Sequence, residues 1–112
     1  EVVGLLALET FLTEDNRLLF NEIAPRPHNS FHWTIEGCAS SQFIQLIRAV
    51  AGIPFGSTQC YGKWQMDNIL GEDIDRLKKL VAEDGVHIHL YGKSEWKTGR
   101  KMGHINRQIN TN

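Results

Sequence analysis

Two prolines one residue apart, Pro25 and Pro27, stiffen the ten-residue run Asn21-Glu22-Ile23-Ala24-Pro25-Arg26-Pro27-His28-Asn29-Ser30. Proline lacks a backbone N–H and has a fixed φ, which argues against a regular helix around Pro27. The run packs a carboxylate, a guanidinium, an imidazole, an amide and a hydroxyl into one short irregular stretch. Its neighbours decide what that stretch can be. Val2 to Leu12 is apolar and β-compatible, and Leu18 to Ile23 reads as a return strand. Between them, Glu14-Asp15-Asn16-Arg17 is a turn signal, because Asp and Asn tolerate positive φ.

A two-residue turn at Asp15-Asn16 pairs Glu14 with Arg17 and brings Glu9 directly opposite Glu22. Directly paired Cβ atoms sit about 4.5–5.5 Å apart, where like charges repel. Two readings follow. A cation lies between the carboxylates, as where carboxylates bridge through Mg2+ to phosphates. Alternatively, a longer loop shifts the register and leaves each glutamate solvated.

The rest of the chain reads as α+β, with about five strands and two helices. Ser40 or Ser41 caps a helix whose Phe43, Leu46, Ile47 and Val50 form an apolar stripe facing a core. Gly52 and Pro54 end it. A loop over 52–63 marks the passage between two subdomains. Trp64 to Leu70 is a strand, and Asp73 caps a second helix with Ile74, Leu77, Leu80 and Val81 on one stripe. Val86, Ile88 and Leu90 alternate with His87, His89 and Tyr91, the period of a half-buried strand. A loop over 92–100 leads to a last strand near 101–106.

Composition bounds the function. A net charge of −1 gives no global field toward nucleic acid or membrane, and no apolar run approaches the roughly 20 residues of a membrane helix. Two cysteines, Cys38 and Cys60, make no disulfide framework and fit a reduced, cytoplasmic setting. The lack of an initiator Met, a strand already under way at Val2 and a polar end over 108–112 imply a piece of a longer polypeptide.

Three further groups of residues stand out. His87 and His89 lie about 7 Å apart on one strand face, with His104 the nearest third ligand, but half-exposed surface histidines read better. Lys93, Lys97, Arg100 and Lys101 form a cationic loop with Gly92, Gly99 and Gly103. Such a loop can hold one phosphate group, although composition alone favours a charged surface hairpin. Trp96 within it reads as packing over a core edge. Neither a nucleophile elbow nor a phosphate-cradling glycine loop is present.

Several blocks in order carry a resemblance. They are Gly4-Leu5-Leu6-Ala7-Leu8-Glu9, the run from Asn21 to Ser30, His32-Trp33-Thr34, Ser41-Gln42-Phe43 and Arg48-Ala49. They continue with His89-Leu90-Tyr91-Gly92-Lys93 and Gly99-Arg100-Lys101-Met102-Gly103-His104. Over nearly its whole length the chain resembles the C-terminal part of the 5-(carboxyamino)imidazole ribonucleotide synthase family of ATP-grasp ligases. The resemblance implies the end of an ATP-grasp domain over 1–56 and an incomplete, small mixed β subdomain over 57–112. It implies an enzyme that uses ATP and bicarbonate, through carboxyphosphate, to carboxylate 5-aminoimidazole ribonucleotide in purine biosynthesis.

The resemblance also assigns roles. Glu9 and Glu22 become ligands of Mg2+ or Mn2+, and Asn21 and Glu22 contact ATP. Arg26 neutralises the developing carboxyphosphate, while His28, Asn29 and Ser30 line the bicarbonate and ribonucleotide pocket. Lys93 and Arg100, with Lys101 beside them, grip the ribonucleotide phosphate. It implies a homodimeric cytoplasmic parent with no nucleic-acid or membrane partner, and an isolated piece that is inactive. Phe31 departs from the pattern, standing where the family usually has glycine; a glycine-like positive φ there would strain it. Two alternatives stand beside this reading: a formate-dependent glycinamide ribonucleotide transformylase of the same superfamily, and a non-catalytic truncated binding module.

Overall fold

The computed structural model describes residues 3–109. Val2, the expected start of the first strand, and residues 110–112 of the polar end lie outside the described residues. The chain divides into two units, Glu1–Gln59 and Cys60–Asn112.

In the first unit, β1 (Ala7–Leu12) and β2 (Leu18–Ala24) form an antiparallel hairpin. The ladder starts at Ala7 rather than Val2, because Ala7 pairs with Ala24 and Pro25 has no N–H to extend β2. The turn is one residue longer than the two-residue form. Thr13, not Glu14, faces Arg17, with Thr13 N donating to Arg17 O at 2.9 Å and Asn16 in the left-handed region at φ 59°. Asp15 locks this turn by accepting from the Thr13 hydroxyl and from Arg17 Nε. The longer turn moves the near register by one, so that Thr10 faces Phe20. A bulge between Thr10 and Glu9 then absorbs Asn21, and Glu9 faces Glu22 after all.

After the proline run come a 3-10 turn over Asn29–Phe31, a single helical turn α1 (Thr34–Gly37) and α2 (Gln42–Val50). Ser41 caps α2 by accepting from Ile44 N. The far end closes with Gly52 at φ 66°, Gly52 N on Ala49 O and Ile53 N on Arg48 O. The expected core stripe of α2 is covered only at one end: Leu46 is half-buried and Phe43 stacks on His32, whereas Ile47 and Val50 are 66% and 67% exposed. Gln45 is the buried residue, and its amide clamps Gly56 through both N–H and C=O.

The second unit is a three-stranded antiparallel sheet of β3 (Lys63–Leu70), β4 (Val86–Leu90) and β5 (Lys101–Ile109) in the order β3-β5-β4, with α3 (Ile74–Leu80). The last strand in sequence therefore occupies the centre, and it runs three residues beyond Asn106. Ile69, Leu80, Met102 and Ile105 form the core, with Leu77, Val86, Ile88 and Trp96 packed against it. The stripe on α3 is narrower than its periodicity suggested, since Ile74 and Val81 are exposed. Asp73 precedes α3, but its carboxylate turns back to accept from Leu70 N at 2.8 Å.

Gly71 lies where the backbone of the cationic loop passes closest; a Cβ there would overlap the Lys97 carbonyl group. Replacing Gly71 by Ala is expected to destabilise the chain by about 1–3 kcal/mol. Urea unfolding followed by tryptophan fluorescence measures this, and an unchanged midpoint would show that Gly71 does not anchor the loop. At the hairpin turn, hydrogen bonds from Thr13 and then Arg17 hold the Asp15 carboxyl below its usual 3.8. A depressed folded value stabilises the turn above that pH and loses the contribution as pH falls through the lowered value. Carboxyl NMR is expected to show Asp15 titrating below 3.8 in the wild-type chain and closer to that value in Thr13→Ala, where Arg17 still donates to it.

Candidate functional site

The bulge determines what the hairpin presents. In a regular strand, Asn21 and Glu22 would point to opposite faces. At the bulge, two residues oppose one, and both side chains turn toward Glu9. Asn21 Nδ2 donates to Glu9 Oε2 at 2.7 Å, and the Ser30 hydroxyl donates to Glu9 Oε1 at 2.9 Å. Glu22 meets His28, with Nε2 and Oε1 2.7 Å apart.

His28 is 7% exposed and joins the two carboxylates through Ser30. Ser30 N donates to Nδ1 at 3.3 Å, which requires a lone pair there and so places the ring proton on Nε2. That proton is donated to Glu22. Gln42 sets the position of His28. It accepts from His28 N and donates to His28 O, both at 2.9 Å, and its amide also meets His32 Nδ1. His32 in turn stacks on Phe43 with ring centroids 5.4 Å apart. Thr34 closes the segment by donating to Phe31 O and accepting from Gln42 N.

The structure thus brings together Glu9, Asn21, Glu22, His28 and Ser30. Glu9, Glu22 and His28 each offer a ligand atom within 4.8 Å of the others. Two carboxylates so close leave room for one divalent cation, and their oxygens are the donors Mg2+ takes. Arg26 points elsewhere: Nη1 donates to Pro27 O at 3.0 Å, and the residue lines a groove of about 160 Å³ with Leu5, Leu6, Ala7, Phe31 and Gln42. Asn29 opens the 3-10 turn. Phe31 carries no backbone strain. Asn16 is the one non-glycine residue with positive φ among the described residues, and Phe31, 41% exposed, closes the 3-10 turn.

Lys93, Arg100 and Lys101 belong to the second unit. Lys93 Nζ donates to Lys101 O at 2.5 Å and stands 5.5 Å from the Tyr91 ring centre. Arg100 Nη1 donates to Glu95 O at 3.2 Å. Lys97 bridges to the Glu95 carboxylate at 2.6 Å. Glu72 accepts from Gly99 N at 2.8 Å and ties the loop down. His89 and His104 stack at 4.6 Å with Tyr91 on His104 Nδ1, and Cys38 and Cys60 form no disulfide. Sequence reasoning gave Gln42 no role. Its place at the first position of α2 after a serine cap is the signal that it is fixed, but a contact 14 residues back is not a local pattern.

Residues 1–43 match the ATP-grasp domain family, and residues 65–111 match the phosphoribosylaminoimidazole carboxylase C-terminal domain family. The N5-carboxyaminoimidazole ribonucleotide synthase of Brucella melitensis is 50% identical over 107 residues, covering 96% of this chain and 30% of that protein. The Bacillus subtilis protein of the same name is 52% identical, covering 93% and 28%. A crystal structure of N5-carboxyaminoimidazole synthase from Aspergillus clavatus, in complex with ADP and 5-aminoimidazole ribonucleotide, superposes with a TM-score of 0.88. It is 39% identical and covers 96% of this chain and 31% of that one. The chain spans about 30% of the length of the first of these relatives.

Gln42→Ala removes both backbone partners of the buried His28. It is expected to cost about 1–3 kcal/mol and to speed hydrogen exchange at the His28 amide. Unaltered exchange at that amide would show that Gln42 does not hold it.

Proposed function

We propose that this chain, which belongs to the N5-carboxyaminoimidazole ribonucleotide synthase family, is the C-terminal part of an ATP- and bicarbonate-dependent ligase acting on 5-aminoimidazole ribonucleotide. Bicarbonate attacks the γ-phosphorus of ATP, giving carboxyphosphate and ADP. The exocyclic amine of the ribonucleotide then attacks the carboxyl carbon, forming the carbamate as phosphate leaves. The end of the ATP-grasp domain occupies residues 1–56 and the small C-terminal subdomain residues 57–112. The observation that carries this reading is the meeting of Glu9 and Glu22 across the bulged hairpin.

Glu9 and Glu22 would hold Mg2+ or Mn2+, which when bound neutralises charge on the ATP phosphates. Asn21 and Ser30 each donate to one Glu9 oxygen and fix the carboxylate plane. His28 holds Glu22 in the same way. Asn21 and Glu22 face the nucleotide. Arg26 offers a guanidinium to the charge that develops on carboxyphosphate. Asn29 borders the same pocket on the turn that carries Ser30. Lys93 and Arg100, with Lys101 beside them, bind the ribonucleotide phosphate. The parent is a cytoplasmic homodimer in this reading.

In the full-length protein, Glu9→Gln and Glu22→Gln are each expected to lower kcat by about 10²–10³-fold. Phosphate release measured with ATP, ribonucleotide and either bicarbonate or formate tests the reaction. Bicarbonate-dependent release supports the reading, and release with formate alone assigns the protein to the transformylases. The 112-residue chain by itself is expected to release no phosphate; turnover by it would contradict the proposed division of the site.

A further inference from the structure

Of the four cations in the loop, Lys93 is half-buried, whereas Lys97, Arg100 and Lys101 are exposed. Drawing an ammonium partly out of water costs free energy unless polar partners hold it. Tyr91 and the Lys101 carbonyl are such partners. We propose that Tyr91, anchored by His104, is a positioning residue that fixes the Lys93 ammonium where the ribonucleotide phosphate docks. The inference rests on the assignment of Lys93 to that phosphate.

Three observations carry it. First, the ring meets the ammonium. Gly92, at φ 66°, turns the chain between the two residues, and Lys93 Nζ stands over the Tyr91 ring, 5.5 Å from its centre. An ammonium within about 6 Å of an aromatic face is attracted to the ring's negative side. The same ammonium donates to Lys101 O at 2.5 Å. Neither of these partners is an anion, so neither competes with a phosphate for the positive charge. Second, the ring is itself held at two points. Tyr91 N donates to Met102 O at 2.9 Å, which continues the β4–β5 ladder by one residue, and the Tyr91 hydroxyl lies 2.9 Å from His104 Nδ1. His104 is 2% exposed and stacks on His89, its cross-strand partner, with centroids 4.6 Å apart and planes 15° apart. The strands approach closely here, since a Cβ on Gly103 would overlap the His89 carbonyl oxygen. The phenol is thereby tied to the central strand of the sheet. Third, the hold is particular to one cation. Arg100 and Lys97 both turn to Glu95 within the loop, whereas Lys93 is linked through Tyr91 to β5. Ordering a lysine on binding costs rotamer entropy, and a lysine already held has lost it before the phosphate arrives.

The test uses the full-length protein, with phosphate release measured as ATP and ribonucleotide are varied in turn. Tyr91→Leu, which removes the ring, is expected to raise KM for the ribonucleotide about tenfold. Tyr91→Phe, which keeps the ring and loses the link to His104, is expected to raise it about threefold. In both, kcat and KM for ATP stay within about twofold, because the lost interaction is one of uniform binding. A merely structural role would move all three. In a Lys93→Ala background, Tyr91→Leu is expected to add less than about twofold, because its effect passes through the ammonium. Additive losses in the double variant, or a kcat that falls as KM rises, overturn the proposal. An unchanged KM in Lys93→Ala overturns the phosphate assignment of Lys93 and the positioning role with it. A raised KM in Lys93→Ala beside an unchanged one in Tyr91→Leu leaves the phosphate grip standing and overturns the positioning role alone. In the wild-type protein, the Lys93 ε-methylene protons are expected upfield of the free-lysine position, because a ring face shields protons above it. An unshifted resonance overturns the proposal, and this measurement decides even if Tyr91→Leu does not fold.

Discussion

Two carboxylates facing each other across a two-stranded ladder repel, and the first unit is arranged around that repulsion. Glu9 cannot relax into solvent, because Asn21 and Ser30 each donate to one of its oxygens. Glu22 is held by His28, which is held by Gln42. Four polar side chains therefore keep two negative charges close without neutralising either. An arrangement that maintains an unfavourable pair at the expense of side-chain freedom fits a site whose charge is completed by a ligand.

The two units are stabilised differently. The second has an apolar core of Ile69, Leu80, Met102 and Ile105. In the first, Ala24 is the buried apolar residue among those described, and the other buried side chains are the polar His28, Thr34, Ser41 and Gln45. Leu8, Leu12, Leu18, Phe20 and Ile23 share one hairpin face by register, and each is more than half exposed. A lone two-stranded hairpin is marginal in water, and an apolar face of this kind marks an interaction surface. The relatives are about three times longer than the matched region, so the proposed parent has chain enough to cover this face and the exposed end of the α2 stripe.

How much of this was legible in the sequence differs by element. Glu9 was expected opposite Glu22 and is, but by a different route. The turn is one residue longer, which alone would have paired Glu9 with Asn21. The bulge at Asn21 removes that shift. No local pattern signals a bulge in Leu18-Leu19-Phe20-Asn21-Glu22-Ile23, and only the two faces together show its need. Without it, Glu22 would join the apolar face and Ile23 the carboxylate face. The capping serine of α2, the inward Val86 and Ile88 of β4 and the packing of Trp96 were readable because each depends on near neighbours, whereas Leu90, expected on the same buried face, is exposed. How far the α2 stripe is covered was not readable, because amphipathic periodicity says that a face is apolar and not what covers it. Gln42 was missed because its partners lie a full segment away.

The cationic loop shows how the setting of a charge matters more than its presence. Lys97 is paired with Glu95, so its field is largely cancelled. Lys93 and Arg100 instead donate to backbone carbonyls, which orient a cation without neutralising it. The loop that carries them is tied down by the Gly71–Lys97 backbone approach, by Glu72 on Gly99 N and by Trp96 packed against the core. Two cations oriented by backbone carbonyls on an anchored loop would suit the proposed grip on a dianionic phosphate with little reorganisation. This singles out Lys93 and Arg100 over Lys97 on electrostatic grounds alone, independently of any family likeness.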